Sequence, residues 1–182
     1  MTASAHEREG GPPIDIVVKS VAWAAEPGAE AIVRRSIAAA AALARAATGE
    51  VSVLLADDAA VRRLNRDWRK IDRPTNVLSF PAPVLPLAAA GKGAGGGDRK
   101  RGVAHAPLGD IVIAYETAAR EAAAEAKPFP HHLAHLAVHG FLHLLGYNHD
   151  SDAEADEMER LEAGILARLD VPDPYAAQAA TA

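Results

Sequence analysis

Residues 131–149 read HHLAHLAVHGFLHLLGYNH. Leu133, Leu136, Ala137, Phe141, Leu142 and Leu145 recur there at helical spacing with few polar breaks, which predicts a buried helix over His131 to Tyr147, ended by Gly146. Pro128 and Pro130 punctuate the chain before it. Downstream, Asp152 to Leu169 pairs an apolar stripe (Met158, Leu161, Ile165, Leu169) with a charged face, and Pro172 stops that second helix.

Upstream, the short apolar runs are β-branched. Residues 14–19 (IDIVVK), 51–55 (VSVLL), 76–80 (NVLSF) and 110–114 (DIVIA) are predicted strands, the third stopped by Pro81 and Pro83. Between them lie a long helix from Pro27 to Ala47 closed by Gly49, and a helix that Asp57 or Asp58 caps, with Val61, Leu64 and Trp68 on one side. A further helix spans Tyr115 to Ala126. Four strands and several helices give an α/β (α+β) single domain with a small mixed four-stranded sheet packed with helices.

The chain has 182 residues, enough for one globular domain and too few for two comfortable ones. That domain is placed at residues 14–175, with tails at 1–13 and 176–182 and a Gly/Ala-rich loop at 87–107 carrying Arg99, Lys100 and Arg101. The first thirteen residues lack the apolar core of a secretory signal, and the alanine run Ile37 to Ala44 is too short to span a bilayer. No membrane partner and a cytoplasmic location are therefore expected.

Six of the eight histidines fall between His131 and His149. His139 and His143 are four apart on the predicted helix, so their rings are rotated by about 40° and lie about 6 Å apart along the axis, within reach of one ion. His149 follows the helix-ending Gly146, where the chain turns back to close a tripod. Cysteine is absent, so any metal must sit on His, Asp or Glu. Structural zinc sites are usually closed by four cysteine-rich ligands, whereas three neutral imidazoles leave a fourth position for a water whose pKa falls toward about 7. The spacing thus favours one catalytic zinc per chain, at the end of a buried helix. Against it stands a set of partly buried histidines satisfied by hydrogen bonds. His132 and His135 are assigned supporting roles and His131 to the surface.

The net charge of −5 is uneven: residues from Asp150 onward carry −7, while Arg62 to Arg73 carry a local +4. Net charge therefore does not exclude an anionic substrate.

The stretch HGFLHLLGYNH (His139 to His149) closely resembles the signature HGxLHLxGYDH of the YbeY family of bacterial endoribonucleases of ribosomal RNA maturation. WRKIDRPTNVLSFP (Trp68 to Pro81), LGDIVIA (Leu108 to Ala114) and DPY (Asp173 to Tyr175) resemble three further family segments. Asn148 stands where the family usually has Asp. The resemblance implies one zinc on His139, His143 and His149, and a zinc-dependent, single-strand-specific endoribonuclease acting on the 3′ end of small-subunit ribosomal RNA and in ribosome quality control. The small ribosomal subunit and its proteins are the implied partners. Arg69 lies at the family's arginine position, where a guanidinium clamps a phosphate by two bonds and stabilises developing charge. Lys70 and Arg73 are assigned to substrate binding beside it, and Arg62, Arg63 and Arg66 are equally well read as a solvated helix face.

Two other readings stand beside this one. A metzincin-like metallopeptidase shares the His pair, but its general-base glutamate would fall at Gly140, which has no side chain. A ribosome-assembly factor would use zinc only to hold the fold.

Overall fold

A computed structural model describes residues 11–44, 49–83 and 106–176. The expected tails at 1–10 and 177–182, residues 87–105 of the expected loop, and its Arg99, Lys100 and Arg101 lie outside the described residues.

The elements run β1 (Ile14–Val18), a 3-10 turn (Val21–Ala25), α1 (Ala29–Leu43), β2 (Glu50–Ala56), α2 (Asp58–Arg69), β3 (Val77–Pro81), β4 (Pro107–Ala114), α3 (Tyr115–Ala124), α4 (Phe129–Leu144) and α5 (Asp152–Ala167). The sheet order is β1-β2-β4-β3, with β1, β2 and β4 parallel and β3 an antiparallel edge. This is the mixed four-stranded α/β domain that the strand pattern predicts.

Several boundaries differ from those expectations. The 3-10 turn was not anticipated; Ser20 caps it, and it buries Trp23, whose indole N–H donates to the Ala56 carbonyl at 2.9 Å. Strand β4 begins at Pro107, so the end of the expected loop belongs to the sheet. Asp57, not Asp58, caps α2 by accepting from the Ala60 N–H at 2.7 Å. Asp58 instead joins α2 to α3, accepting from both the backbone N–H and the hydroxyl of Thr117.

Alternation along the strands divides the core between two faces. Val51, Val53, Leu55, Ile111 and Ile113 face the larger core, shared with α1, α4 and α5. Leu78 and Val112 face a smaller cluster completed by Val61 of α2. Helix α4 touches α1, α3, α5, β3 and β4, which is why it is apolar except along its histidine-bearing side.

Close approach of α4 to the sheet depends on Gly140. A Cβ there would stand 3.0 Å from Ile111 Cγ2, 3.2 Å from Ser79 Oγ and 3.3 Å from Val77 Cγ2. The Ser79 hydroxyl also donates to the Gly140 carbonyl at 3.0 Å, tying helix to edge strand. Glycine inside a helix costs about 1 kcal/mol relative to alanine. The contact offsets that cost by letting backbone pack on β3 and β4. Gly140→Val is expected to destabilise the protein by roughly 2 kcal/mol or more, the cost of overpacking a filled core. Urea denaturation showing unchanged stability would mean that the helix can move off the sheet freely.

Candidate metal centre and its cleft

Helix α4 ends in a Schellman turn: the Gly146 N–H donates to the His143 carbonyl at 3.0 Å and the Tyr147 N–H to the Leu142 carbonyl at 3.1 Å. Gly146 has φ +90°, a conformation that glycine adopts without penalty. This turn also folds the Tyr147 carbonyl back over the helix end, where it accepts from His143 Nδ1 at 2.8 Å. Six residues after His143, His149 sits just before the Ser151/Glu154 capping box that starts α5. Two tight local structures thus bracket the third histidine.

Ring nitrogens of His139, His143 and His149 all lie within 4.8 Å of one another. His139 Nδ1 donates to Glu162 Oε1 at 2.7 Å. A carbonyl or an ionised carboxylate can only accept, so in their neutral rings both His139 and His143 carry the proton on Nδ1. Their two Nε2 lone pairs then face each other at 3.0 Å. Two acceptors this close repel unless a cation lies between them. The donor set and its tautomers therefore fit a divalent metal such as zinc.

Glu162 was not among the residues anticipated for this site. It is fully buried on α5, four residues from Met158 and three from Ile165, within the very stripe expected to be apolar. An acidic residue on a buried stripe was the available signal. Besides His139, Glu162 Oε2 receives the Tyr175 hydroxyl, and His135 Nε2 stands 3.4 Å away. Burial pushes its carboxyl up, but the bonds from His135 and His139 outweigh this and hold it down at about 2. Burial and the Glu162 charge push the Tyr175 phenol up, so it remains a donor. The DPY segment therefore serves as a clamp: Tyr175 reaches Glu162, and its own N–H donates to Asp173 Oδ1 at 2.9 Å.

His135, His139 and Glu162 form a second group with metal-binding donors, but this carboxylate is already engaged by its hydrogen-bond partners and supports His139. His132 is buried against Glu121 at 3.0 Å, outside the three-histidine group, and His131 is half-buried.

The tripod opens on a cleft of about 600 Å³ whose walls include Trp68, Arg69, Val77 to Pro81, Asn148 and Asp150. Arg69 thus stands on the same cleft as the three histidines. Lys70 and Arg73 do not line it: the Lys70 ammonium donates to the Asp67 carbonyl at 2.8 Å, and the Arg73 carbonyl accepts from Asn65 Nδ2 at 2.8 Å. Buried Asn65 fixes the loop after Arg69 through this bond. Arg62 is paired with Asp72 through two bonds and Arg66 with Asp67, so part of the local positive charge is spent on solvated ion pairs. Asn148 lines the cleft at the position usually held by Asp, and it is exposed.

Burial and the adjacent His139 hold the His143 imidazolium pKa below its ordinary value. Metal competes with protons for these rings, so it should be released as pH falls, and at a lower pH than from three exposed imidazoles. Glu162→Gln is expected to weaken metal binding by about 10- to 100-fold, since the amide is a poorer partner for His139 Nδ1. Competition with a chelator reads the change. Because the Glu162 pKa is depressed on folding, its contribution to stability is full above about pH 4.5 and lost as pH falls toward about 2. The stability deficit of the metal-free Gln variant should accordingly be larger at about pH 7 than at about pH 3. Equal deficits would show that the carboxylate's charge is not what holds the network.

A sequence profile of the family described as Endoribonuclease YbeY matches residues 19–170. Proteins named Endoribonuclease YbeY from Bradyrhizobium diazoefficiens and Rhodopseudomonas palustris are 53% and 54% identical to this chain over 167 and 169 residues. The alignments cover 91% and 92% of it and 86% and 94% of those proteins. A Thermotoga maritima protein of known solution structure superposes with a TM-score of 0.43 at 21% identity, over 86% of this chain and 91% of that one.

Proposed function

The chain belongs to the endoribonuclease YbeY family, and from that premise we propose that its cleft hydrolyses phosphodiester bonds of single-stranded RNA at a zinc ion held by His139, His143 and His149. The observation that carries this reading is the shared wall: Arg69 and the three histidines line one cleft. When bound, zinc supplies a Lewis acid beside the scissile phosphate.

The chain's own residues do the rest. Glu162 and the Tyr147 carbonyl hold the Nδ1 protons of His139 and His143 and so direct both Nε2 lone pairs into the cleft. Arg69 places a planar, permanently charged donor against the phosphate, where it binds the ground state and stabilises the charge that builds up on the phosphoryl oxygens. Asn65 positions it by fixing the loop that follows. The substrate is proposed to be ribosomal RNA of the small subunit, a reading supported by the family and by the placement of Arg69 on the cleft.

The two competing readings lack such support. A peptidase-type glutamate at position 140 would have no room, since even a Cβ crowds Ile111, Ser79 and Val77. A purely structural zinc would be closed off by a fourth protein ligand, whereas this tripod opens on the cleft and His149 is exposed.

Arg69→Ala is expected to keep its zinc and its melting temperature yet lose about 10²-fold or more in cleavage of a single-stranded RNA. Arg69→Lys should recover little, because one ammonium cannot reproduce a two-point clamp. His143→Ala, assayed alongside, should lose both metal and cleavage. Near-normal cleavage by Arg69→Ala would overturn its assignment to the phosphate, and metal-independent cleavage by the wild-type protein would overturn the role of zinc.

A further inference from the structure

Helix α2 leaves a tryptophan in water beside the metal cleft. Its apolar stripe begins on the sheet, where Val61 is buried and Leu64 half-buried, but ends at Trp68, which is 71% exposed. The other tryptophan, Trp23, is 3% exposed and anchored by its indole N–H, so exposure is not a general habit of this chain. Sequence periodicity places Trp68 on the same side as Val61 and Leu64. In the structure that side is covered by the sheet only over its first turns.

The exposed indole is neither isolated nor randomly placed. Its ring centroid lies 6.0 Å from that of Phe80 on edge strand β3, tilted by 59°, and both rings wall the cleft shared by Arg69 and the histidines. An aromatic corner therefore shares the cleft with Arg69, the residue proposed to take the phosphate. Single-stranded nucleic acid matches this juxtaposition: a flat, neutral base on the aromatic face and an anionic phosphate on the adjacent arginine. The same two rings also border an apolar groove with Leu54, Leu64 and Val112, but it is on the cleft side that they share a wall with Arg69 and the three histidines.

We propose that Trp68, backed by Phe80, is a stacking platform for the nucleobase next to the scissile phosphate. This rests on the reading of the cleft as an RNA-cleaving site and deepens it. A base inside a duplex is already stacked and paired, so the platform offers binding energy only to unpaired nucleotides. It thereby supplies a physical source of single-strand preference without reading sequence, because every base has a π-face.

The zinc-loaded wild-type protein allows a direct test, since Trp68 is the exposed one of its two tryptophans. Stopped-flow mixing with a short single-stranded RNA, before turnover, should quench and shift the tryptophan emission. The same RNA with an abasic site beside the cleavage position should give a much smaller change. Trp68→Ala should keep zinc content and melting temperature but weaken RNA binding by roughly 10-fold, the order expected for one lost stack, while Trp68→Tyr should restore most of it. Wild type and Trp68→Ala should bind the abasic RNA alike. Cleavage by wild type together with an unchanged emission, an equal quench by abasic RNA, or wild-type affinity in Trp68→Ala would overturn the platform and leave the nuclease reading standing. If wild type neither binds nor cleaves single-stranded RNA, both fail together. A quench produced by an apolar peptide and not by RNA would reassign the corner to a protein partner.

Discussion

The bond between His139 Nδ1 and Glu162 Oε1, 2.7 Å long, joins α4, which carries two of the three clustered histidines, to α5. A buried carboxylate is costly unless it is bonded on every side, and Glu162 meets that condition only when α4, α5 and the C-terminal turn are all in place. His139 and His135 come from α4, and the Tyr175 hydroxyl from the turn after α5. Satisfying one buried charge thus assembles three parts of the chain. The same bond fixes the His139 tautomer, so the constraint that locks the fold also aims His139 Nε2 toward His143 Nε2.

The cleft lies where the two layers of the domain meet. The histidines come from α4 and the segment after it, on the side of the larger core, whereas Arg69 and Trp68 come from α2, which packs on the opposite face of the sheet. Edge strand β3 runs between them, and Val77 to Pro81 line the cleft along its length. An edge strand is normally exposed to pairing with other chains. Here, Ser79 bonds it to α4 and Phe80 backs Trp68, so its side chains serve both walls. Gly140 sets how close α4, with His139 and His143, comes to this strand.

Much of this was legible in the sequence because it is written in local spacing. The HxxxH pair, the glycine that ends the helix and the third histidine describe a turn-level structure, and the three rings do converge. The alternating β-branched runs likewise mark the four strands of the described residues. What escaped depends on contacts between distant segments. Glu162 sits among Met158, Ile165 and Leu166 and finds its partners on another helix. The bond from the Lys70 ammonium to the Asp67 backbone carbonyl and the ion pair of Arg62 with Asp72 depend on the course of the chain around the end of α2, which spacing does not show. Periodicity puts Trp68 on one side with Val61 and Leu64, and only the extent of the sheet reveals it as exposed.

The central claim is that Glu162 and the Tyr147 carbonyl aim His139 and His143 at one metal completed by His149. Crystals of protein loaded with zinc, measured on both sides of the zinc absorption edge, test it directly. The account predicts one anomalous peak per chain, bonded to Nε2 of His139 and of His143 and to the ring of His149, with Glu162 still on His139 Nδ1. A peak coordinated by Glu162 and His135, or a fully loaded protein whose peak leaves His149 unbound, would contradict it.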